Sequence, residues 1–191
     1  MADFLAATRG APAHPSLTRA LRLWSAEPGF ALDLGCGAGR DSLHLLAQGW
    51  GVTALDRDPQ ALSTLALECP DEDRPRLQLL QRSFEDAGPL PAANLINASF
   101  ALPFCPPAAF PALWQRIAGA LCADGLFVGH FFADRDAWAG ERPLTVHDRT
   151  ALLRLFDSWE TVHFEEHEWD GKTAVGQRKH WHLFEVIARR T

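Results

Sequence analysis

No stretch of the 191 residues approaches the ~18 consecutive apolar side chains of a membrane-spanning helix. Met1 to Pro15 shows no basic start followed by an apolar core, the mark of a secretion signal, so a cytoplasmic protein is the expectation. Positive charge is not in excess: 18 Lys and Arg stand against 24 Asp and Glu, a net charge of −6. Such a chain has no general electrostatic grip on phosphate backbones, and nucleic acid is not an expected partner. Cysteine is sparse, and Cys36, Cys69, Cys105 and Cys122 show no C-x-x-C spacing, which argues against both a disulfide framework and a zinc site. No internal repeat or low-complexity linker divides the chain. What remains is the composition of one ordinary globular domain, 47% hydrophobic and 22% charged.

The most informative stretch is Ala31-Leu32-Asp33-Leu34-Gly35-Cys36-Gly37-Ala38-Gly39-Arg40. An apolar run with an acid near its end, then glycines at alternate positions, then a helix-compatible segment reads as strand, tight turn and helix start. Glycine takes positive φ and lets a ligand approach the main chain, and the following helix offers unpaired N–H groups. A pyrophosphate-binding turn is spaced G-x-G-x-x-G. Here the third glycine comes one residue early.

Around that turn, strands and helices alternate. Residues 1–15, rich in Ala, Gly and Pro, are expected as a flexible arm, and residues 16–191 as one domain whose first helix is capped by Ser16. Strands are predicted at Phe30–Leu34, Val52–Asp56, Leu77–Gln81, Ala93–Ser99 and Gly125–Phe132. Helices are predicted from Ala38 to Gln48, after Asp58-Pro59, and from Pro107 or Pro111 to Cys122. That rhythm implies a doubly wound, Rossmann-like α/β domain with right-handed crossovers. Thr145-Val146-His147-Asp148 reads as a capping box opening a further helix. Two strand-like runs, Trp159–Glu168 and Lys179–Arg189, then follow without a helix between them and must be antiparallel neighbours. The whole is a mostly parallel seven-stranded sheet closed by an antiparallel hairpin.

The G-x-G-x-G spacing behind Asp33 resembles motif I of the class I S-adenosylmethionine-dependent methyltransferases, as does the closing hairpin; the small size and the His180-Trp181-His182 ending are similar to the tellurite-resistance group. The resemblance implies S-adenosylmethionine as cofactor, held by Asp33, Gly35, Cys36, Gly37 and Gly39. Asp56 lies 21 positions after Gly35, one strand–helix–strand unit, where a carboxylate accepts ribose hydroxyls; Arg57 adjoins it. Ser83, Phe84 and Glu85 occupy the adenine slot, where Ser83 replaces the usual aspartate, and Asn97 lies at the fourth strand's exit. The reaction implied is methyl transfer to a small-molecule acceptor such as a thiol, chalcogen or carboxylate. The alternatives are an NAD(P)-binding oxidoreductase, disfavoured by the early third glycine, and a cofactor-binding module without catalysis.

Ligands in such a sheet bind outside the carboxyl ends of the parallel strands. The start of the last strand reaches this face, making His180 and His182, which share one side of a strand, candidate general bases. His163, Glu165 and His167 share a side of the neighbouring strand, so the two histidine-bearing strand ends form a candidate general-base or metal cluster, with no metal assigned. Phe100, Phe104, Trp138 and Trp181 are candidates for an apolar wall, Asp134-Arg135-Asp136 for gripping a polar end, and the 170–179 connection for arching over the cleft.

Overall fold

The computed structural model describes residues 2–191, with side chains from Leu5 onward. Seven strands form one sheet: β1 (Phe30–Leu34), β2 (Gly51–Asp56), β3 (Leu77–Gln81), β4 (Ala93–Ala98), β5 (Leu121–Phe132), β6 (Trp159–Lys172) and β7 (Arg178–Arg190). Their spatial order is β3-β2-β1-β4-β5-β7-β6. The first five are parallel, and β7 runs antiparallel to both β5 and β6. This is the Rossmann-like arrangement expected from the alternation of elements. Helix α2 (Pro15–Leu23) and the crossover helices α3 (Arg40–Ala47) and α4 (Pro59–Glu68) cover one face. There Leu17, Ala20, Leu45, Leu46 and Leu65 meet Leu95, Leu126 and Val128. On the other face α5 (Phe110–Ala120) and α6 (Arg149–Leu155) set Leu113, Trp114 and Leu152 against Ile96, Phe127 and Phe131.

Several boundaries differ from the sequence expectation, each for a local reason. The stretch expected as an arm holds a short helix, α1 (Ala2–Thr8), whose Leu5 is buried against Ala38 and Ala61. The cap of α2 is His14 rather than Ser16: Pro15 takes the first turn, and the His14 ring accepts a hydrogen bond from Ser16 N. Asp148, not Thr145, caps α6, its carboxylate accepting from Ala151 N. Helix α5 stops at Ala120, and β5 begins four residues earlier than expected, passing through Asp124 at φ +61°. The 170–179 connection does not arch over the cleft. It continues the hairpin, with pairing out to Lys172↔Arg178 and a tight turn in which Thr173 N donates to Gln177 O at 2.8 Å.

Candidate functional site

The glycine turn is fixed by main-chain bonds to the next strand, Gly35 N and Cys36 N both donating to Leu55 O at 2.8 and 3.1 Å. Gly35, Gly37 and Gly39 all have positive φ, at +67°, +54° and +89°. Their surroundings differ. A Cβ on Gly35 would lie 2.7 Å from Ala101 Cβ, and one on Gly39 would lie 2.4 Å from Leu65 Cδ1. At Gly37 the nearest neighbour would be Leu5 Cδ2 at 4.0 Å. Close packing therefore dictates the outer two glycines, while the middle one faces space roofed by α1.

Asp56, at the end of β2, reaches this turn. Its carboxylate accepts from Gly37 N and from Asp58 N, both at 2.9 Å. The Phe84 ring lies over Gly35, with Cζ 3.5 Å from where a Cβ would stand. Ser83 shapes the local turn by accepting from Asp86 N at 3.2 Å. Arg57 and Glu85 are exposed.

Asp33 and Asn97 are placed differently from a ligand-facing pair. Asp33 is 2% exposed and accepts from Ser42 Oγ at 2.5 Å and Asn97 Nδ2 at 2.8 Å. The same Asn97 amide donates to Asp41 at 3.2 Å. Asp41 also accepts from His14 N at 2.8 Å and from Arg40 Nε and Nη2 at 3.0 and 3.1 Å. One amide thus bridges two buried carboxylates. Burial, then the charge of Asp41, pushes the Asp33 carboxyl up to about 7. Burial also opposes ionisation of Asp41, but the Arg40 guanidinium and the His14 N–H outweigh it and hold that carboxyl below its usual range. Burial, then Asp33 and Asp56, drives the Cys36 thiol well up. Asp41, Ser42, Arg40 and His14 were not singled out in the sequence. Asp41 and Ser42 follow the motif directly and carried a signal as polar residues on the first helical turn; His14 comes in from an earlier segment and carried none.

This donor set fits one nucleotide-like cofactor better than another. Three acidic side chains, Asp33, Asp41 and Asp56, lie around the turn, with the charge on Asp41 and Asp56, and Arg40, the cation beside them, is already bound bidentately to Asp41. A sulfonium with an α-ammonium group is favoured by such a field, whereas a pyrophosphate is repelled by it.

The histidines do not form the cluster expected of them. Register places His182 opposite Glu168 and His180 opposite Asp170, on one side of the hairpin, while His163, Glu165 and His167 stand opposite Ile187, Glu185 and Leu183 on the other. His182 is buried with both ring nitrogens engaged: Nδ1 accepts from Arg135 N at 3.1 Å, and Nε2 lies 2.8 Å from Glu166 Oε1. His180 is clamped between Asp170 at 2.8 Å and Glu168 at 3.2 Å, which raises its pKa. Neither presents a free base.

The aromatic residues do converge. Phe100 meets Trp181 at 5.9 Å between ring centroids, Trp181 meets Trp138 at 6.0 Å, and Trp138 meets Phe104 at 6.3 Å. This strip starts beside the glycine turn, through the contact between Gly35 and Ala101. Phe100 has φ +53°, which is uncommon for a bulky residue, and stacks on the buried His130 ring at 4.2 Å. The His14 ring meets both edge-on, at 5.3 and 4.5 Å. Asp136 points inward rather than toward a ligand: it pairs with Lys179, both side chains at most 1% exposed. The ammonium lies 3.6 Å from the Trp181 ring centroid and 4.5 Å from those of Phe132 and Trp138. Two recesses, 320 Å³ by Trp159 and 160 Å³ by Trp24, lie away from the strand ends.

The profile of a family described as "Methyltransferase domain" matches residues 31–125, the stretch from β1 into β5 that carries the glycine turn and Asp56. No curated protein matches the sequence. Among solved structures, TehB from Haemophilus influenzae superposes with a TM-score of 0.78 at 19% identity, covering 93% of this chain and 62% of that one. The N-methyltransferase NodS from Bradyrhizobium japonicum, in complex with S-adenosylhomocysteine, gives 0.68 at 16% identity over 91% and 85%. The 1,6-didemethyltoxoflavin N1-methyltransferase of Burkholderia thailandensis gives 0.67 at 22% over 93% and 79%. These likenesses share the fold, and the family profile shares the motif. With a glycine turn whose acids suit a sulfonium, residues 31–125 form a methyltransferase domain, and the chain has the fold of S-adenosylmethionine-dependent methyltransferases.

Proposed function

We propose that the protein transfers the methyl group of S-adenosylmethionine to a small-molecule acceptor that is already nucleophilic, such as a thiol, chalcogen anion or carboxylate. The cofactor supplies a methyl activated by positive sulfur. Gly37 and Asp56 hold it at the turn, and the aromatic strip from Phe100 to Phe104 excludes water where acceptor and methyl are aligned.

The observation that carries the acceptor class is the state of three histidine rings, that of His14 at the start of α2, His130 in β5 and His182 in β7. His14, His130 and His182 each accept a backbone N–H at Nδ1, from Ser16, Phe100 and Arg135 at 3.2, 3.4 and 3.1 Å. A neutral ring that accepts at Nδ1 carries its proton on Nε2, so each offers a donor rather than a base. None of these three rings is free to take a proton from an acceptor that must lose one during transfer.

Calorimetry with S-adenosylmethionine, S-adenosylhomocysteine and NAD tests the cofactor. We expect the first two to bind and Asp56→Ala to weaken both by ~1–3 kcal/mol, the cost of leaving hydrogen-bonding partners unsatisfied. Tight NAD binding with no response to S-adenosylhomocysteine would overturn the reading. Release of S-adenosylhomocysteine in the presence of thiol, selenite and carboxylate probes separates an enzyme from a binding module.

A further inference from the structure

We propose that the Asp33–Asn97–Asp41 bridge discriminates the cationic cofactor from its uncharged product, binding of S-adenosylmethionine being coupled to release of a proton from Asp33. The inference rests on the cofactor reading above and adds to it a role for residues that need not touch the ligand.

The geometry is that of two buried acids bridged by one amide. Two carboxylates with little access to water are joined by the two hydrogens of one amide, which is itself held by Ser99 Oγ at its carbonyl oxygen, 2.8 Å away. Their other partners are unequal. Asp41 has the guanidinium of Arg40 and the N–H of His14; Asp33 has a single hydroxyl, that of Ser42. The negative charge therefore resides on Asp41 and the proton on Asp33, where the Ser42 hydroxyl accepts it; once Asp33 ionises the same hydroxyl turns to donate. The other ionisable groups around them are Cys36 on the turn, Asp56 at the end of β2, and the rings of His14 and His130, both kept neutral chiefly by burial. Arg40 is the one cation among these and is committed to Asp41.

A positive ligand at the turn shifts this balance. It stabilises the carboxylate form of Asp33, whose proton leaves to solvent, so the ligand meets one more negative charge than the empty site carries. The sign follows directly: below the Asp33 transition a proton must be expelled on binding, so affinity for the cation rises with pH and levels off once Asp33 is ionised. After methyl transfer the sulfur is neutral, the extra attraction is lost, and Asp33 takes its proton back. Asp33 thus acts as a positioning residue for charge, favouring departure of spent cofactor.

Titration calorimetry at pH 6, 7 and 8, in phosphate and in Tris, counts the protons released. With S-adenosylmethionine we expect a fraction of a proton at pH 7, and an affinity that rises by up to about tenfold per pH unit on the acid side of the transition. S-adenosylhomocysteine should release less, so that preference for the charged form grows severalfold from pH 6 to pH 8. Asp33→Asn should abolish the linkage for both ligands. Ser42→Ala, which removes the hydroxyl that stabilises the Asp33 carboxylate, should move the transition to higher pH, and it carries the test if Asp33→Asn does not fold. Equal proton release for the two ligands, proton uptake, or an unchanged linkage in the variants would overturn the inference while leaving the cofactor reading intact. Failure of both ligands to bind would overturn both.

Discussion

At the scale of single residues, the three glycines of the turn separate packing from ligand access. Gly39→Ala would force a methyl group to 2.4 Å from Leu65 Cδ1 and 2.9 Å from its Cβ, at φ +89°. We expect a loss of about 2–4 kcal/mol in urea unfolding, from overpacking and strained backbone together. Gly37→Ala meets nothing nearer than 4.0 Å and should cost about 1 kcal/mol for its left-handed backbone, yet weaken S-adenosylhomocysteine binding at least tenfold. Equal binding by wild type and Gly37→Ala would mean that the ligand does not approach that Cα. The turn was legible because its requirement is local: glycine spacing and an acid at a strand end need no tertiary knowledge. The placement of Asp33 was not, since Ser42, Asn97 and Asp41 surround it only once the helix has packed on the sheet.

Among elements, the hairpin shows where periodicity misleads. Thr161 pairs with Ala188 and His163 with Ile187, so Val162 is an extra residue on β6. Before this bulge, Trp159 packs with Trp114 and Phe156; after it, residues of the same parity turn to the opposite face. Simple alternation would have put His163, Glu165 and His167 on the side of Trp159, which is also that of His182. The bulge separates them, and nothing in the composition of Glu160-Thr161-Val162-His163 announces it. The strands themselves were legible, β1 to β3 almost to the residue, because their apolar runs are bounded by turn residues. The buried Lys179–Asp136 pair joins the start of β7 to the loop after β5. Lys179→Met leaves Asp136 an uncompensated buried charge and should cost about 3–5 kcal/mol in urea unfolding; Lys179→Met with Asp136→Leu should recover much of it. If the single variant unfolds like wild type, the pair carries no such energy.

For the whole molecule, acid sensitivity follows from histidines folded in their neutral form. His147 is held to about 4 by burial, opposed by Asp148, and its Nδ1 is buried with no hydrogen-bond partner; His14 is lowered to about 4 by burial, then by His130 and Arg40. Between about pH 6.5 and 4 the unfolded chain binds protons that these rings refuse, so each destabilises the fold as pH falls through that window, by about 1–2 kcal/mol at pH 5. Asp33 acts in the opposite direction, since its folded state holds a proton up to about pH 7. The clean measure is therefore a difference. His147→Phe should melt close to wild type at pH 7 and above it at pH 5, and identical pH dependence for the two proteins would show that His147 is not buried neutral.

The clamp between loop and hairpin also bears on how the molecule opens. Ala133 N and Ala137 N donate to His182 O and His180 O at 2.8 and 3.0 Å, and His182 N donates back to Asp136 at 3.2 Å. The β5 exit loop is in effect a short extra layer of the hairpin. Its amides and those of β7 from Lys179 to His182 should exchange with deuterium as one cooperative group, slower than an ordinary surface loop, and leave the native ensemble together.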